Sequence, residues 1–260
     1  MNPDWLRPDW PAPAGIRAVC TTRAGGVSAA PYDGLNLGDH VGDDPARVAS
    51  NRAIFEEAIG AQAVFLNQVH GTGVLQIDAA TEHASVADAC LTDQAGVACT
   101  IMVADCLPVL LVGADGNWVA AAHAGWRGLA GQQGVGIIEA TCQRFSALAL
   151  MDTAQVATEI IAWLGPCIGP QAFEVGEEVR AAFVAHDAQA QCMFQADKPG
   201  KWRADLAGLA RQRLAALGIQ QVFGNDGSPG WCTASQASRF FSHRRDQVTG
   251  RFAVAIWRAA

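Results

Sequence analysis

Apolar runs along the chain are separated by polar turns and predict strands and helices in mixed order. Strands are predicted at residues 16–22, 63–66, 74–77, 97–104, 108–112, 118–123 and 157–164, near residue 221, and at 252–257. Helices are predicted at residues 45–59, about 128–147, 176–186 and 204–217. Because strands and helices do not alternate strictly, the pattern favours an α+β (mixed α/β) fold over a doubly wound parallel sheet.

Local signals refine this picture. Asp44 and Pro45 supply an N-cap and a first-turn proline for the helix that Gly60 closes. The segment before this helix, from residue 21 to about residue 44, is rich in Gly, Asn and Asp, and loops of that length are usually functional or disordered. No repeat, linker or shift in composition divides the chain, so we expect one domain over residues 1–260.

The composition excludes several classes of protein. The 260 residues are 50% hydrophobic, carry a formal net charge of −7, and contain no basic block that could neutralise the phosphates of a nucleic acid. A small anionic substrate is still compatible, because individual arginines can bind it. The N-terminus lacks the basic and apolar regions of a signal peptide, and no apolar run predicts a membrane span. We therefore expect a cytoplasmic protein without a nucleic-acid or membrane partner.

Three residues of metal-binding type stand at the ends of predicted strands: His70, Cys106 and His123. Two imidazoles and a thiolate suit zinc, and three protein ligands leave a fourth position open, as in catalytic sites. The separations of 36 and 17 residues match no short zinc motif, so spacing alone leaves a metal site and ordinary strand-end side chains equally open. Gly71 and Gly125 favour the metal site, because glycine lets backbone approach a ligand closely.

Copper is an alternative, since two His and one Cys also form the equatorial set of blue-copper sites. Those sites usually draw Cys, His and Met from one short loop, and no such cluster follows Cys106. The chain has six histidines and no HxH pair, so it cannot build a trinuclear copper centre. We therefore expect zinc rather than copper, and no laccase activity. The other seven cysteines form no CxxC pair and are interpreted as mostly buried small hydrophobes.

Two further motifs carry charge. GlyTrpArgGly at residues 125–128 precedes a predicted helix, and a helix N-terminus together with Arg127 would attract an anion such as phosphate, although an ordinary turn with a surface arginine explains it equally simply. His243, Arg244 and Arg245 follow an aromatic pair, where a solvated basic face is favoured over a substrate clamp. GlyProCysIleGlyPro at residues 165–170 is interpreted as a rigid structural turn.

Several longer strings resemble the YfiH family, also called the laccase domain or multicopper polyphenol oxidoreductase family. They are ThrThrArgAlaGlyGlyValSer…LeuAsnLeuGly (21–38), AsnGlnValHisGly (67–71), AlaAspCysLeuProValLeuLeu (104–111), AlaHisAlaGlyTrpArgGly (122–128), GlyProCysIleGlyPro (165–170) with PheGluValGly (173–176), and PhePheSerHisArgArgAsp…ThrGlyArg (240–251). The resemblance covers nearly the whole chain in the family's order.

The resemblance implies a single domain with α/β/β/α layers, similar to the cytotoxic necrotizing factor deamidases. It also implies zinc bound by the family's His, Cys and His, which fall on His70, Cys106 and His123. Members of the family act on purine nucleosides, by phosphorolysis of adenosine, inosine and methylthioadenosine and by deamination of adenosine. Some bacterial members are linked to editing of peptidoglycan precursors.

These implications define the candidate site. In deamination, zinc would lower the pKa of a bound water for attack on C6 of adenine. In phosphorolysis, phosphate held by Arg127 would attack C1′ of the ribose. Further candidates for substrate contacts are Arg23, Asn36, Gln68 and His243, the last also as general base.

Two other classes of function stay open. In a metal-free cysteine hydrolase, His123 would activate Cys106 as a nucleophile, with peptidoglycan precursor amides as natural substrates. A noncatalytic module that binds a metal or a partner would turn over no nucleoside.

Overall fold

The computed structural model describes residues 2–260, apart from the side chains of residues 153 and 157. Its strands are β1 (Ile16–Cys20), β2 (Gln62–Phe65), β3 (Val74–Gln76), β4 (Ala89–Thr92), β5 (Val97–Val103), β6 (Leu107–Gly113), β7 (Val119–Ala124), β8 (Ile160–Leu164), β9 (Glu174–Gly176), β10 (Phe194–Ala196), β11 (Lys201–Ala204), β12 (Gln221–Gly224) and β13 (Phe252–Arg258). Its α-helices are α1 (Pro45–Ile59), α2 (Trp126–Ala130), α3 (Ile137–Ala149), α4 (Thr153–Glu159), α5 (Glu177–Val184), α6 (Leu206–Ala216) and α7 (His243–Asp246).

Two large sheets and one small sheet contain these strands. One sheet has the order β1-β13-β5-β2, the second has the order β12-β8-β6-β7-β4-β3, and the small sheet has the order β10-β11-β9. Parallel pairs (β2 with β5, β3 with β4, β8 with β12) occur beside antiparallel ones, so the sheets are mixed.

Strand periodicity divides the apolar side chains into three layers. In β6, Leu110 and Val112 point toward the four-stranded sheet, whereas Val109 and Leu111 point to the opposite face. The first set packs against β5 and β13, because successive side chains of a strand alternate between faces. The second set is covered by α3, α5 and α6, and the outer face of the four-stranded sheet is covered by α1.

These layers give the order α/β/β/α, which confirms the predicted mixed α/β class and the expected layering. The helix predicted at residues 45–59 is confirmed, with the Asp44 side chain accepting from Ala46 N–H and Gly60 in the left-handed conformation. We still expect a single domain over residues 1–260. Met1 lies outside the described residues. Within residues 2–260, no helix is both long enough and apolar enough to cross a membrane.

Two predicted elements were wrong in part. The helix predicted from residue 128 to residue 147 is broken into α2 and α3, because Gly131 and Gly134 adopt positive φ and form a turn. A Cβ on Gly131 would lie 2.0 Å from the Val135 carbonyl oxygen, so this turn requires glycine at that position. The strand predicted at residues 157–164 begins as helix α4, because Asp152 and Gln155 form a capping box before it.

Candidate active site and metal centre

A cavity of about 430 Å³ opens where the ends of the two large sheets meet the C-terminal loops. This volume lies in the range of small-molecule sites, roughly 300–1,000 Å³. The cavity is lined by His40, Gln68, His70, Met102, Val103, Ala104, Asp105, Cys106, His123, Trp126, Ile168, Phe173, His243, Arg244 and Arg251.

Three of the lining residues form a compact cluster of metal-binding type. One ligand atom of each of His70, Cys106 and His123 lies within 4.8 Å of those of the other two. The Sγ of Cys106 lies 3.7 Å from His70 Nε2, and the two imidazole centroids are 4.7 Å apart. His123 is buried, Cys106 is half-buried and His70 is exposed, so the cluster opens on one side.

The three side chains come from three different local structures. His123 lies inside β7, one residue before its end, and Cys106 lies directly before β6. His70 is in the loop after β2, where its φ of +60° is unusual for a residue that is not glycine. The strand-end placement expected from the apolar pattern is thus close for Cys106 and His123, whereas His70 stands in a loop.

A buried carboxylate holds the two histidines in place. Asp88, directly before β4, accepts hydrogen bonds from the backbone N–H groups of Val69, His70 and Gly71 at 3.2, 2.9 and 2.7 Å. Its Oδ1 also lies 2.8 Å from Nδ1 of His123, which turns the Nε2 of that ring toward the cluster. Burial alone would raise the pKa of Asp88, but the hydrogen bonds from His123 and from the loop hold it below its usual value.

Gly125 makes room for the cluster. A Cβ at this position would lie 2.9 Å from Cys106 Sγ and 2.9 Å from His70 Cδ2. Its φ of −64° is available to any residue, so the absence of a side chain serves the site rather than the backbone.

The electrostatics favour the thiolate form of Cys106. Burial works to raise the pKa of its thiol, but the charge and hydrogen bonds of His123, aided by His70, lower that pKa to about 6. Burial works to lower the pKa of His123, whereas the Cys106 thiolate and Asp88 raise it to about 9. Without a metal, these charges and hydrogen bonds therefore favour a thiolate paired with an imidazolium. The thiolate is both the form that binds metals and the form that acts as a nucleophile.

The chemistry of this donor set fits one metal ion. One sulfur and two imidazole nitrogens match the ligands of open zinc sites, and Asp88 supplies the carboxylate that orients a metal-binding histidine. Among residues 2–260, this is the one cluster of three or more His, Cys, Asp or Glu side chains with such spacing. A centre with several copper ions therefore finds no second set of ligands in the described part of the chain.

Two of the predicted substrate residues lie in the cavity. Gln68 uses its amide on the backbone of Met102, donating to the carbonyl oxygen at 2.8 Å and accepting from the N–H at 2.9 Å. His243 lies 2.7 Å from the Gln247 carbonyl through Nδ1. A carbonyl only accepts hydrogen bonds, so Nδ1 carries the proton and Nε2 is left for a ligand.

The structure does not bring the other three predicted substrate residues to the cavity. Arg127 is exposed, stacks on Trp126 and lines an adjacent groove. Arg23 pairs with Asp33 in a separate surface depression. Asn36 is fully buried and binds the backbone of Gly38 and Arg251, so its amide is already used.

Sequence reasoning missed several residues of this site. Asp88 stands in an AlaAspAla string without any motif, and the network of Asp105 with Thr233 and Arg244 joins parts of the chain more than 100 residues apart. Arg251 ends the ThrGlyArg string that resembles the family, but its position in the sequence indicated no role. Trp126, Phe173 and His40 complete the wall.

A layered α/β/β/α fold with a His–Cys–His cluster in an open cavity defines a mixed α/β protein with a site that could hold one metal ion. The chain belongs to the family described as multi-copper polyphenol oxidoreductase laccase, whose sequence profile matches residues 17–259. The resemblance drawn from the motifs is thereby confirmed.

Relatives match over almost the full chain. A purine nucleoside phosphorylase of Pseudomonas aeruginosa is 50% identical over 255 residues, which cover 97% of this chain and 98% of that protein. The purine nucleoside phosphorylase YfiH of Escherichia coli K12 is 47% identical over 252 residues, 96% of this chain and 97% of that one. The crystal structure of Neisseria meningitidis protein NMB0706 is similar with a TM-score of 0.88 and 42% identity, over 99% of this chain and 100% of that chain.

The hydrogen bonds of Asp88 predict a loss of metal affinity on substitution. Asp88→Asn replaces one acceptor oxygen by an NH₂ group that faces donors, so His70 and His123 lose part of their support. We expect the affinity for Zn²⁺ to fall by about 10- to 100-fold, measured by competition with a chelator. The matched control is Asp93→Asn, which changes an exposed carboxylate and should leave the affinity as in the wild type. Equal affinities of the two variants would contradict this role.

The contacts of Gly125 predict a second, purely steric effect. Gly125→Ala should displace Cys106 or His70 and lower the affinity for Zn²⁺ by about tenfold or more, while the melting temperature of the metal-free protein stays close to that of the wild type. Gly230→Ala is the control, because a Cβ there has no atom within 4 Å. Unchanged zinc binding in Gly125→Ala would show that the site tolerates the added methyl group.

Proposed function

We propose that this protein is a zinc-dependent purine nucleoside phosphorylase that cleaves adenosine, inosine and methylthioadenosine and also deaminates adenosine. The observation that carries the proposal is the wall of the cavity, where a metal-type cluster faces aromatic and apolar side chains and two arginines. The relatives from Pseudomonas aeruginosa and Escherichia coli are named purine nucleoside phosphorylases, which supports the same reaction class. Its partners would be a purine nucleoside and phosphate.

The apolar wall suits a purine base. Trp126, Phe173, Met102 and Ile168 line the cavity next to the cluster, and aromatic faces stack well on flat heterocycles. Phe173 is itself covered by the guanidinium of Arg244, whose carbon lies 5.5 Å from the ring centroid. A base held between such groups would orient the ribose toward the polar part of the cavity.

The metal would be held by His70, Cys106 and His123. When bound, zinc supplies a Lewis acid that can polarise a substrate oxygen or lower the pKa of water. The remaining requirements of the reaction fall on side chains of this chain: they bind the base, bind the phosphate and exchange a proton with the leaving purine.

In phosphorolysis, the bond between C1′ and N9 of the purine breaks and a bond between C1′ and a phosphate oxygen forms. The electron pair of the broken bond goes to the purine, which takes up a proton. The proton is the one that hydrogen phosphate gives up when its oxygen bonds to C1′. His243 is our candidate to relay it, because Nδ1 donates to the Gln247 carbonyl and the free Nε2 can accept the proton from phosphate and pass it to the purine. In deamination, water would replace the amino group at C6 of adenine, and ammonia would leave.

We propose the cytoplasm as the compartment. All eight cysteines are free thiols, and six of them are buried in the cores or under loops, which fits a reducing environment.

A second candidate function rests on the same cluster without metal. Asp88, His123 and Cys106 stand in the order carboxylate, imidazole, thiolate that activates the nucleophile of cysteine hydrolases. A peptidoglycan-precursor amide would then be the substrate. A protein that is purified without metal, is inactive on nucleosides and loses amidase activity on alkylation of Cys106 would favour this candidate. About one zinc per chain, lost in Cys106→Ala, favours the nucleoside enzyme.

The proposed reaction predicts products that chromatography separates. With adenosine and phosphate, the zinc-loaded protein should form adenine and ribose 1-phosphate, and adenine should not form without phosphate. Inosine should form in either condition if deamination also runs at this site. Cys106→Ala should lose both activities, whereas Cys192→Ser, at an exposed cysteine away from the cavity, should keep them. If neither adenine nor inosine forms with wild-type protein, the proposed function is wrong.

A further inference from the structure

Arg251 lines the cavity and has two side-chain donors that bind no other group of residues 2–260. Its Nη1 donates to the backbone carbonyls of Thr249 and Gly250, both at 3.1 Å. Its Nε and Nη2 donate to no group of residues 2–260, and its guanidinium makes no ion pair within that part of the chain. Nε and Nη2 form the side of the guanidinium that binds two oxygens of a carboxylate or phosphate at once.

The long N-terminal loop holds this arginine in position. Asn36 Oδ1 accepts from the Arg251 N–H at 2.8 Å, and the Leu37 N–H donates to the Arg251 carbonyl at 3.0 Å. Gly38 lets the side chain pass, because a Cβ there would lie 2.7 Å from Arg251 Cγ. Gly250 allows the same close packing, since its Cβ would lie 2.8 Å from Phe241 Cζ. Residues of the strings LeuAsnLeuGly and ThrGlyArg therefore hold Arg251 in position together.

The surroundings of Arg251 favour an anion. Burial lowers the pKa of its guanidinium, and the nearby negative charges of Cys106 and Asp105 offset this only in part. The carboxylate of Asp105, which faces the same cavity, already accepts from Thr233 Oγ1 and from the Arg244 N–H, each at 2.6 Å. His40 and Arg244 add further donors to this side of the cavity.

Arg127, the arginine that the sequence suggested for phosphate binding, lies elsewhere. Arg127 is exposed, and it lies in the adjacent groove, which shares only His70 and Trp126 with the cavity. Its helix, α2, has five residues and no side-chain cap. A phosphate bound there would lie in the adjacent groove, which Phe173, Met102 and Ile168 do not line, rather than in the cavity that suits the base.

We propose that Arg251 binds the inorganic phosphate of the reaction, through Nε and Nη2 to two of its oxygens. This inference rests on the proposed function for its substrate, but it makes a claim about binding that can be measured without turnover. In phosphorolysis, a third oxygen of this phosphate attacks C1′ while the bond to N9 breaks. Asn36, expected from the sequence to contact substrate, is a positioning residue that acts through Arg251.

The test compares phosphate binding and kinetics in matched variants of the zinc-loaded full chain. Arg251→Gln should raise both the dissociation constant for inorganic phosphate, measured by calorimetry with a purine base present, and the KM for phosphate by about 10- to 100-fold. The KM for inosine should change by less than about threefold, because the proposed contact of Arg251 is with phosphate and not with the nucleoside. A general loss of the fold would instead raise both KM values. Arg251→Lys keeps the charge without the planar pair of donors and should recover part of the loss.

Two further variants serve as controls. Arg144→Gln removes an exposed arginine of α3, outside the cavity lining, and should leave both constants as in the wild type. Wild-type phosphate affinity in Arg251→Gln, or the same loss in Arg127→Gln instead, would overturn the inference. If calorimetry shows phosphate binding that depends on Arg251 while no nucleoside is cleaved, the phosphate site stands and the proposed function fails.

Discussion

The site depends on one buried carboxylate. Asp88 is fully buried, and it accepts hydrogen bonds from three successive backbone N–H groups of the loop around His70 as well as from the ring of His123. Leaving such buried groups without a partner costs about 1–3 kcal/mol each. The same interaction offsets the unfavourable positive φ of His70 and selects the ring nitrogen that His123 turns toward Cys106.

The sheet places Asp88 where this is possible. Strands β4 and β7 pair antiparallel with Ala89 opposite Ala122, so Asp88 falls beside His123, whose N–H donates to the Asp88 carbonyl at 2.7 Å. The strand pair thus fixes His123 and its carboxylate together, and the loop that carries His70 is bound to the carboxylate. Cys106 completes the cluster from the turn between β5 and β6, in the space that Gly125 leaves. On another part of the cavity wall, a hydrogen bond to Asn36 and close packing on Gly38 hold Arg251 in position.

The sequence predicted the layers well and the site in part. Continuous apolar runs located most long strands, because both faces of β5 and β6 are buried and nearly every position in them is apolar. His70, Cys106 and His123 were found as candidate ligands from residue type and position. Asp88 was not found, because a single carboxylate in a loop shows no pattern until the strand pairing is known. Asn36 was assigned to substrate, but its amide holds backbone, a role that local sequence does not distinguish from ligand binding.

We propose that His70, Cys106 and His123 bind one zinc ion together and leave a further position open. X-ray absorption at the zinc edge of the protein loaded with one equivalent tests it most directly. We expect one sulfur at about 2.3 Å, two imidazole nitrogens at about 2.0–2.1 Å and one further light atom, with the sulfur absent in Cys106→Ser. Zinc without a sulfur ligand, or a spectrum that Cys106→Ser leaves unchanged, would contradict it.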